Sequence, residues 1–171
     1  MEIIKSKIRD VPDFPKPGIL FKDITPVLQD PVAFRATIDR MADRYETSRP
    51  DAILAIESRG FILGAALAYR LGIGLAIVRK PKKLPYKKIR VEYSLEYGTD
   101  ALEAHEDAVT KGQRVVIVDD LLATGGTAGA TIQLANKLGA TVQECCFVIE
   151  LGFLEGRKKL APTPVFSLIT Y

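Results

Sequence analysis

Hydrophobic positions along the chain change their period several times, and each change marks an element. Phe34, Ile38, Met41, Ala42 and Tyr45 recur at helical spacing over residues 31–47, which predicts a helix with one apolar face. Asp30 and Pro31 stand at its start as an N-cap and a first-turn proline. Residues 52–56 then form a short continuous apolar run, 63–71 reads as a helix stopped by Gly72, and 75–78 is apolar again. The alternation returns with an apolar run at 115–118, a helix over about 127–138 ended by Gly139, and a run at 142–149. Buried strands alternating with helices predict an α/β fold, a parallel core sheet flanked by helices. A last run, 165–169, is expected as an edge strand or as part of a separate flap.

Two stretches break this pattern. The first 30 residues contain Pro12, Pro15, Pro17, Gly18 and Pro26, so they read as irregular chain wrapped over the rest. Residues 80–112 are charged and contain aromatics, and they read as an extended excursion, a two-stranded ribbon. Neither stretch is long enough to demand a second domain, so residues 1–171 are expected to share one core.

Composition narrows the function classes. With 24 basic and 21 acidic residues, interleaved, the net charge of +3 offers no broad field for nucleic acid or a membrane surface. No segment approaches the ~20 apolar residues of a membrane span, and residues 1–9 alternate charged and apolar positions unlike a secretory leader. Cys145 and Cys146 are adjacent and therefore poor disulfide partners; they read as reduced, buried thiols of a cytoplasmic protein. The single histidine, His105, lies among Glu103, Glu106 and Asp107 and is read as polar surface. Without a histidine or cysteine cluster a transition-metal site is not expected.

The chemistry is carried by the residues at the carboxyl end of each apolar run. Residues 52–56 lead into Glu57, Ser58, Arg59 and Gly60; 75–78 into Arg79 and Lys80; 115–118 into Asp119 and Asp120; 142–149 into Glu150. In an open parallel sheet these carboxyl ends share one edge, where ligands bind. After Asp119 and Asp120 comes a loop of small residues, Ala123, Thr124, Gly125, Gly126 and Thr127, opening a helix. Glycines let backbone amides approach an anion, and the helix start favours a phosphate. The loop has neither the lysine of a Walker motif nor a three-glycine dinucleotide fingerprint. Two carboxylates beside such a cradle suit the hydroxyls of a ribose whose 5-phosphate it holds.

Residues 115–127 resemble the phosphoribosyl pyrophosphate signature of the type I phosphoribosyltransferases. The likeness extends over about residues 9–171, through Asp13 to Pro26, Glu57 to Phe61, Tyr93 to Gly98 and Lys159 to Pro162, and is to the adenine-specific members. It implies a parallel core with an N-terminal hood (residues 1–30) that selects the base and a mobile lid (about 80–104). It further implies a homodimer that forms AMP and pyrophosphate from adenine and phosphoribosyl pyrophosphate. By matching positions, Ala123 to Thr127 would hold the 5-phosphate, Asp119 and Asp120 the ribose hydroxyls directly or through metal-bound water, and Ser58, Arg59, Gly60 and Lys80 the pyrophosphate. Leu20, Phe21, Lys22 and Leu151 would enclose the base, Glu96 would manage a base proton, and Tyr97 would help close the lid. Magnesium would arrive with the pyrophosphate oxygens, matching its oxygen preference.

Overall fold

The apolar runs pair into one five-stranded parallel sheet in a computed structural model that describes residues 1–95 and 98–171. In chain order the elements are α1 (Glu2–Lys5), β1 (Arg9–Pro12), β2 (Leu20–Asp23), α2 (Thr25–Gln29), α3 (Pro31–Asp43), β3 (Ala52–Ile56), α4 (Arg59–Leu71) and β4 (Gly74–Val78). Next come β5 (Lys88–Leu95), β6 (Gly98–His105), β7 (Arg114–Leu122), α5 (Gly126–Lys137), β8 (Thr141–Glu150), α6 (Gly156–Leu160) and β9 (Val165–Thr170). The sheet order is β4-β3-β7-β8-β9, parallel throughout. The run at 165–169 is thus an edge strand, not a flap.

All five residues of β3 are buried because helices cover both faces of the sheet. Ile53, Ala55, Val116, Val118 and Cys146 pack with Met41, Leu63 and Leu67 from α3 and α4. Their sequence neighbours Leu54, Ile56, Val115, Ile117 and Cys145 pack with Leu134 and Ala135 of α5 and with Val91 and Leu102 of the excursion. This division is the period-two alternation of strands.

Helix ends obey the local chemistry. The Asp30 carboxylate accepts the Val32 and Ala33 amides, each at 3.0 Å, to cap α3. Gly72 ends α4 in the left-handed conformation, with φ 64°. Two boundaries differ from the periodicity. The α3 helix stops at Asp43 rather than near 47, and α4 begins at Arg59, four residues before its expected start at Leu63.

The N-terminal segment is more ordered than its prolines imply. Strands β1 and β2 form an antiparallel hairpin flanked by two short helices. Arg9 donates to Asp23 at 2.6 Å and to Thr25 at 3.0 Å, and Lys22 donates to Asp10 at 2.6 Å while lying over the Tyr171 ring. The first three ties hold the hairpin together, and the Lys22–Tyr171 contact fixes it to the chain's last residue, a long-range support that local composition does not reveal.

The excursion is the expected ribbon, β5 paired antiparallel with β6. A bridge between Arg79 and Glu103 joins its base to the end of β4.

Candidate active site

The carboxyl ends of β3, β4, β7 and β8 lie along one edge, as the sequence predicts. On the central strand, Asp119 and Asp120 are still within β7, because β8 continues to pair with it as far as Leu122 opposite Glu150. The chain then turns through Ala123, Thr124 and Gly125 into α5. No side chain caps α5, and its first turn carries no acidic residue, in contrast to α3 with its aspartate cap. A small cavity of ≈ 90 Å³ opens here, lined by Asp119, Leu121, Leu122 and residues 123–128. Uncapped amides facing a cavity are an arrangement that can seat an anion.

The two loop glycines have different duties. Gly125 has φ 81°, and a Cβ on it would lie 2.7 Å from the Gly156 carbonyl oxygen. Gly126 has no such conformation, and its nearest contact would be the Tyr93 ring at 3.4 Å. A valine at Gly125 therefore disturbs the loop itself, so the two positions are not equivalent sites for blocking an anion.

Two strand-end cations are each held by a carboxylate. Arg59, at the start of α4, donates from Nε to the Asp120 carboxylate, which is almost completely buried. Its guanidinium also lies 5.6 Å from the centre of the Phe21 ring, which brings hood and sheet edge together. Gly60 makes this entry of α4 feasible: a Cβ there would fall 2.7 Å from the Val118 carbonyl oxygen and 3.0 Å from Asp119. Lys80, beyond β4, donates to Asp100 of the ribbon at 2.7 Å, and the Tyr93 hydroxyl donates to the same carboxylate at 3.2 Å. The Lys80 ammonium holds the Asp100 carboxyl below its ordinary value.

Comparison with known proteins gives this arrangement a context. Residues 24–168 match the phosphoribosyl transferase domain. An adenine phosphoribosyltransferase of Geobacter metallireducens is 54% identical over 171 residues, 100% of both chains. Among solved structures, the adenine phosphoribosyltransferase of Thermoanaerobacter pseudethanolicus superposes with TM-score 0.97 at 57% identity, covering 99% of both chains. The Saccharomyces cerevisiae enzyme, complexed with an imino-altritol bisphosphate and adenine, gives TM-score 0.93 at 41% identity, covering 98% of this chain and 97% of that one.

The chain belongs to the phosphoribosyl transferase family.

The residues singled out from the sequence do not play uniform parts. Asp119 and residues 123–127 line one cavity, whereas Asp120 is committed to Arg59. Ser58 immediately precedes α4 and makes no side-chain cap there. Leu20 is exposed and Phe21 half-buried, meeting Phe14 edge to face at 5.2 Å. The Lys22 side chain is spent on Asp10 and Tyr171. Leu151 is half-buried against the sheet's first core face. Glu96 and Tyr97 lie outside the described residues.

Two of the strand-end charges serve structure instead. Glu57 accepts the Lys80 amide at 2.9 Å and Arg79 Nε at 3.2 Å. Glu150 binds Arg157 through both oxygens, at 3.0 and 2.5 Å, and Arg157 also donates to the Val165 carbonyl. That fork holds α6 against the sheet, and with it Gly156, whose Cβ would lie 2.1 Å from the Ala123 carbonyl oxygen. Sequence reasoning misses Gly156; its only signal is a glycine opening a basic turn.

Burial pushes the Asp119 carboxyl well above its ordinary value, and the adjacent Asp120 carboxylate adds to the rise. The folded protein therefore binds this proton more tightly than the unfolded chain, so stability is full in acid and falls as pH rises through the raised value. Asp119→Asn removes that loss. In magnesium- and phosphate-free buffer the variant should melt above the parent at pH 7, with the advantage gone below about pH 4. Equal melting temperatures at neutral pH would show that Asp119 is not held out of water.

Proposed function

We propose that the protein joins adenine to phosphoribosyl pyrophosphate, yielding AMP and pyrophosphate. The observation that carries this reading is the uncapped glycine start of α5 one short loop beyond two carboxylates, in a chain matched over its full length by adenine phosphoribosyltransferases. Residues 123–127 hold the 5-phosphate on backbone amides, and Asp119 meets the ribose hydroxyls. In the reaction the bond from the anomeric carbon to the pyrophosphate oxygen breaks, a bond to adenine N9 forms, and the N9 proton leaves. Arg59 and Lys80 stabilise charge gathering on the departing pyrophosphate, and Glu96 accepts the base proton. Tyr97 helps the lid exclude water from the activated sugar.

Base choice falls to the hood. Phe21 and Leu151 enclose the ring while main-chain groups near Leu20 and Lys22 match the amino donor and ring-nitrogen acceptor of adenine. An oxo group at the same place would set acceptor against acceptor. Offering adenine, hypoxanthine, guanine and xanthine in turn, with the activated sugar and magnesium, should give AMP from adenine and little nucleotide from the oxopurines. IMP or GMP as the main product would overturn the assignment of the base.

Magnesium fits the donor set. Among the described residues no three histidine, cysteine or acidic side chains gather as a cage, but paired carboxylates beside an anion cradle suit a hard cation that brings waters and substrate oxygens. Asp119 and Asp120 would hold it through water, and when bound it supplies positive charge to the pyrophosphate. A homodimer in the cytoplasm completes the reading. Exposed Ile62 and Tyr69 on α4 and Leu75 on the edge strand β4 offer an apolar face to a second copy, and two free, buried thiols suit a reducing compartment.

A further inference from the structure

The stretch from Lys159 to Pro162 carries part of the family likeness, yet none of the proposed catalytic or binding roles uses it. It begins within a run of three cations in α6, Arg157, Lys158 and Lys159. Arg157 is neutralised by Glu150, and Lys158 by Glu155 at 2.5 Å. Lys159 is exposed and has no ion-pair partner among the described residues. Its ammonium is nevertheless not directed at random: it lies 3.9 Å from where a Cβ on Gly126 would stand.

Gly126 is the first residue of α5, the positive end of that helix, where no side-chain cap and no first-turn acid is present. An ammonium beside a helix start is a like-charge juxtaposition, unfavourable by itself because the unpaired amides already carry partial positive charge. An anion seated at the helix start reverses the sign of both interactions. Two further details agree with an anion there. The Tyr93 ring of the ribbon lies against the same glycine, 3.4 Å from where its Cβ would stand, so the ribbon borders the helix start on that side. Gly156, three residues before Lys159, is in backbone contact with Ala123 and Gly125, so α6 is held at a fixed distance from the loop.

We propose that Lys159 is a further substrate-binding residue, contributing its charge to the 5-phosphate held by residues 123–127. The inference rests on the reading of that loop as a phosphate cradle. From beside Gly126 the Lys159 ammonium adds a side-chain charge to the amides of α5 and the hydroxyls of Thr124 and Thr127.

Ribose 5-phosphate is the probe, titrated calorimetrically into the full chain. Lys159→Met keeps the length and apolar stem of the side chain and removes the charge; it should weaken binding on the order of fivefold, as for one exposed charge pair. Lys159→Arg should restore most of the affinity, and the difference between Met variant and parent should shrink as salt is raised. Lys158→Met changes net charge equally and should leave ribose 5-phosphate binding unaltered, as should adenine binding in all three variants. Parental affinity in Lys159→Met, or an equal loss in Lys158→Met, would overturn the proposal while leaving the cradle in place. Failure of the parent protein itself to bind ribose 5-phosphate would instead overturn the cradle and this inference together.

Discussion

Arg59→Ala should lower kcat/KM for AMP formation by about 10²- to 10³-fold, the loss typical when one preorganised donor to developing negative charge is removed. The structure adds a second consequence. Asp120, its carboxylate almost fully buried, would lose its guanidinium partner, and an unsatisfied buried group costs about 1–3 kcal/mol or more when charged. The two effects are separable. In the double variant Arg59→Ala with Asp120→Asn the buried charge is gone, so melting temperature should recover while turnover stays low. Recovery of turnover along with stability would mean that Arg59 acts only as a counter-ion for Asp120. Arg59→Lys is a sharper version, since an ammonium keeps the charge but cannot reproduce the planar fork suited to phosphate oxygens.

Gly156→Ala is expected to do comparable damage from outside the cleft. Its new methyl would fall 2.1 Å from the Ala123 carbonyl oxygen and within 3.1 Å of the Gly125 amide nitrogen, both backbone atoms that no side-chain rotation can move aside. Overpacking of this kind costs about 1–3 kcal/mol, and the strain falls on the loop whose backbone the methyl strikes. Affinity for ribose 5-phosphate should therefore fall roughly tenfold or more, with a lowered melting temperature and with adenine binding changed less. An alanine variant that binds ribose 5-phosphate as well as the parent would show that the loop does not depend on α6 for its shape.

These two positions mark how far the sequence can be read. Arg59 is legible because it comes just after a continuous apolar strand and precedes a glycine, a pattern that is local. Asp119, Asp120 and the loop to Thr127 are legible for the same reason: strand, carboxylates, small residues and helix succeed one another directly along the chain. The partnership of Arg59 with Asp120 spans 61 positions, and nothing along the chain announces it. Glu57 and Glu150 look from the sequence like cleft charges, but Arg79 and Arg157 occupy them. A carboxylate at a strand end can equally serve a ligand or a neighbouring loop, and only the fold decides which.

The hood shows the opposite error. Proline and glycine frequency hides β1 and β2, because their pairing is supported by Arg9, Asp23, Lys22 and Tyr171 rather than by local propensity. Gly156 is hidden for another reason: a glycine required by close backbone approach looks, in one sequence, like any other turn residue. The Lys80 ammonium, expected free for pyrophosphate, is shared with Asp100. An ammonium has three donors, so this contact leaves it able to meet a phosphate oxygen while holding the ribbon nearby.

The central claim is group transfer, as distinct from mere binding of a sugar phosphate, and pyrophosphate release measures it most directly. With phosphoribosyl pyrophosphate and magnesium in excess and adenine limiting, the protein should release one pyrophosphate for each AMP formed, stop when adenine is consumed, and resume on its further addition. Tight binding of both substrates with no pyrophosphate above the background hydrolysis would contradict the account.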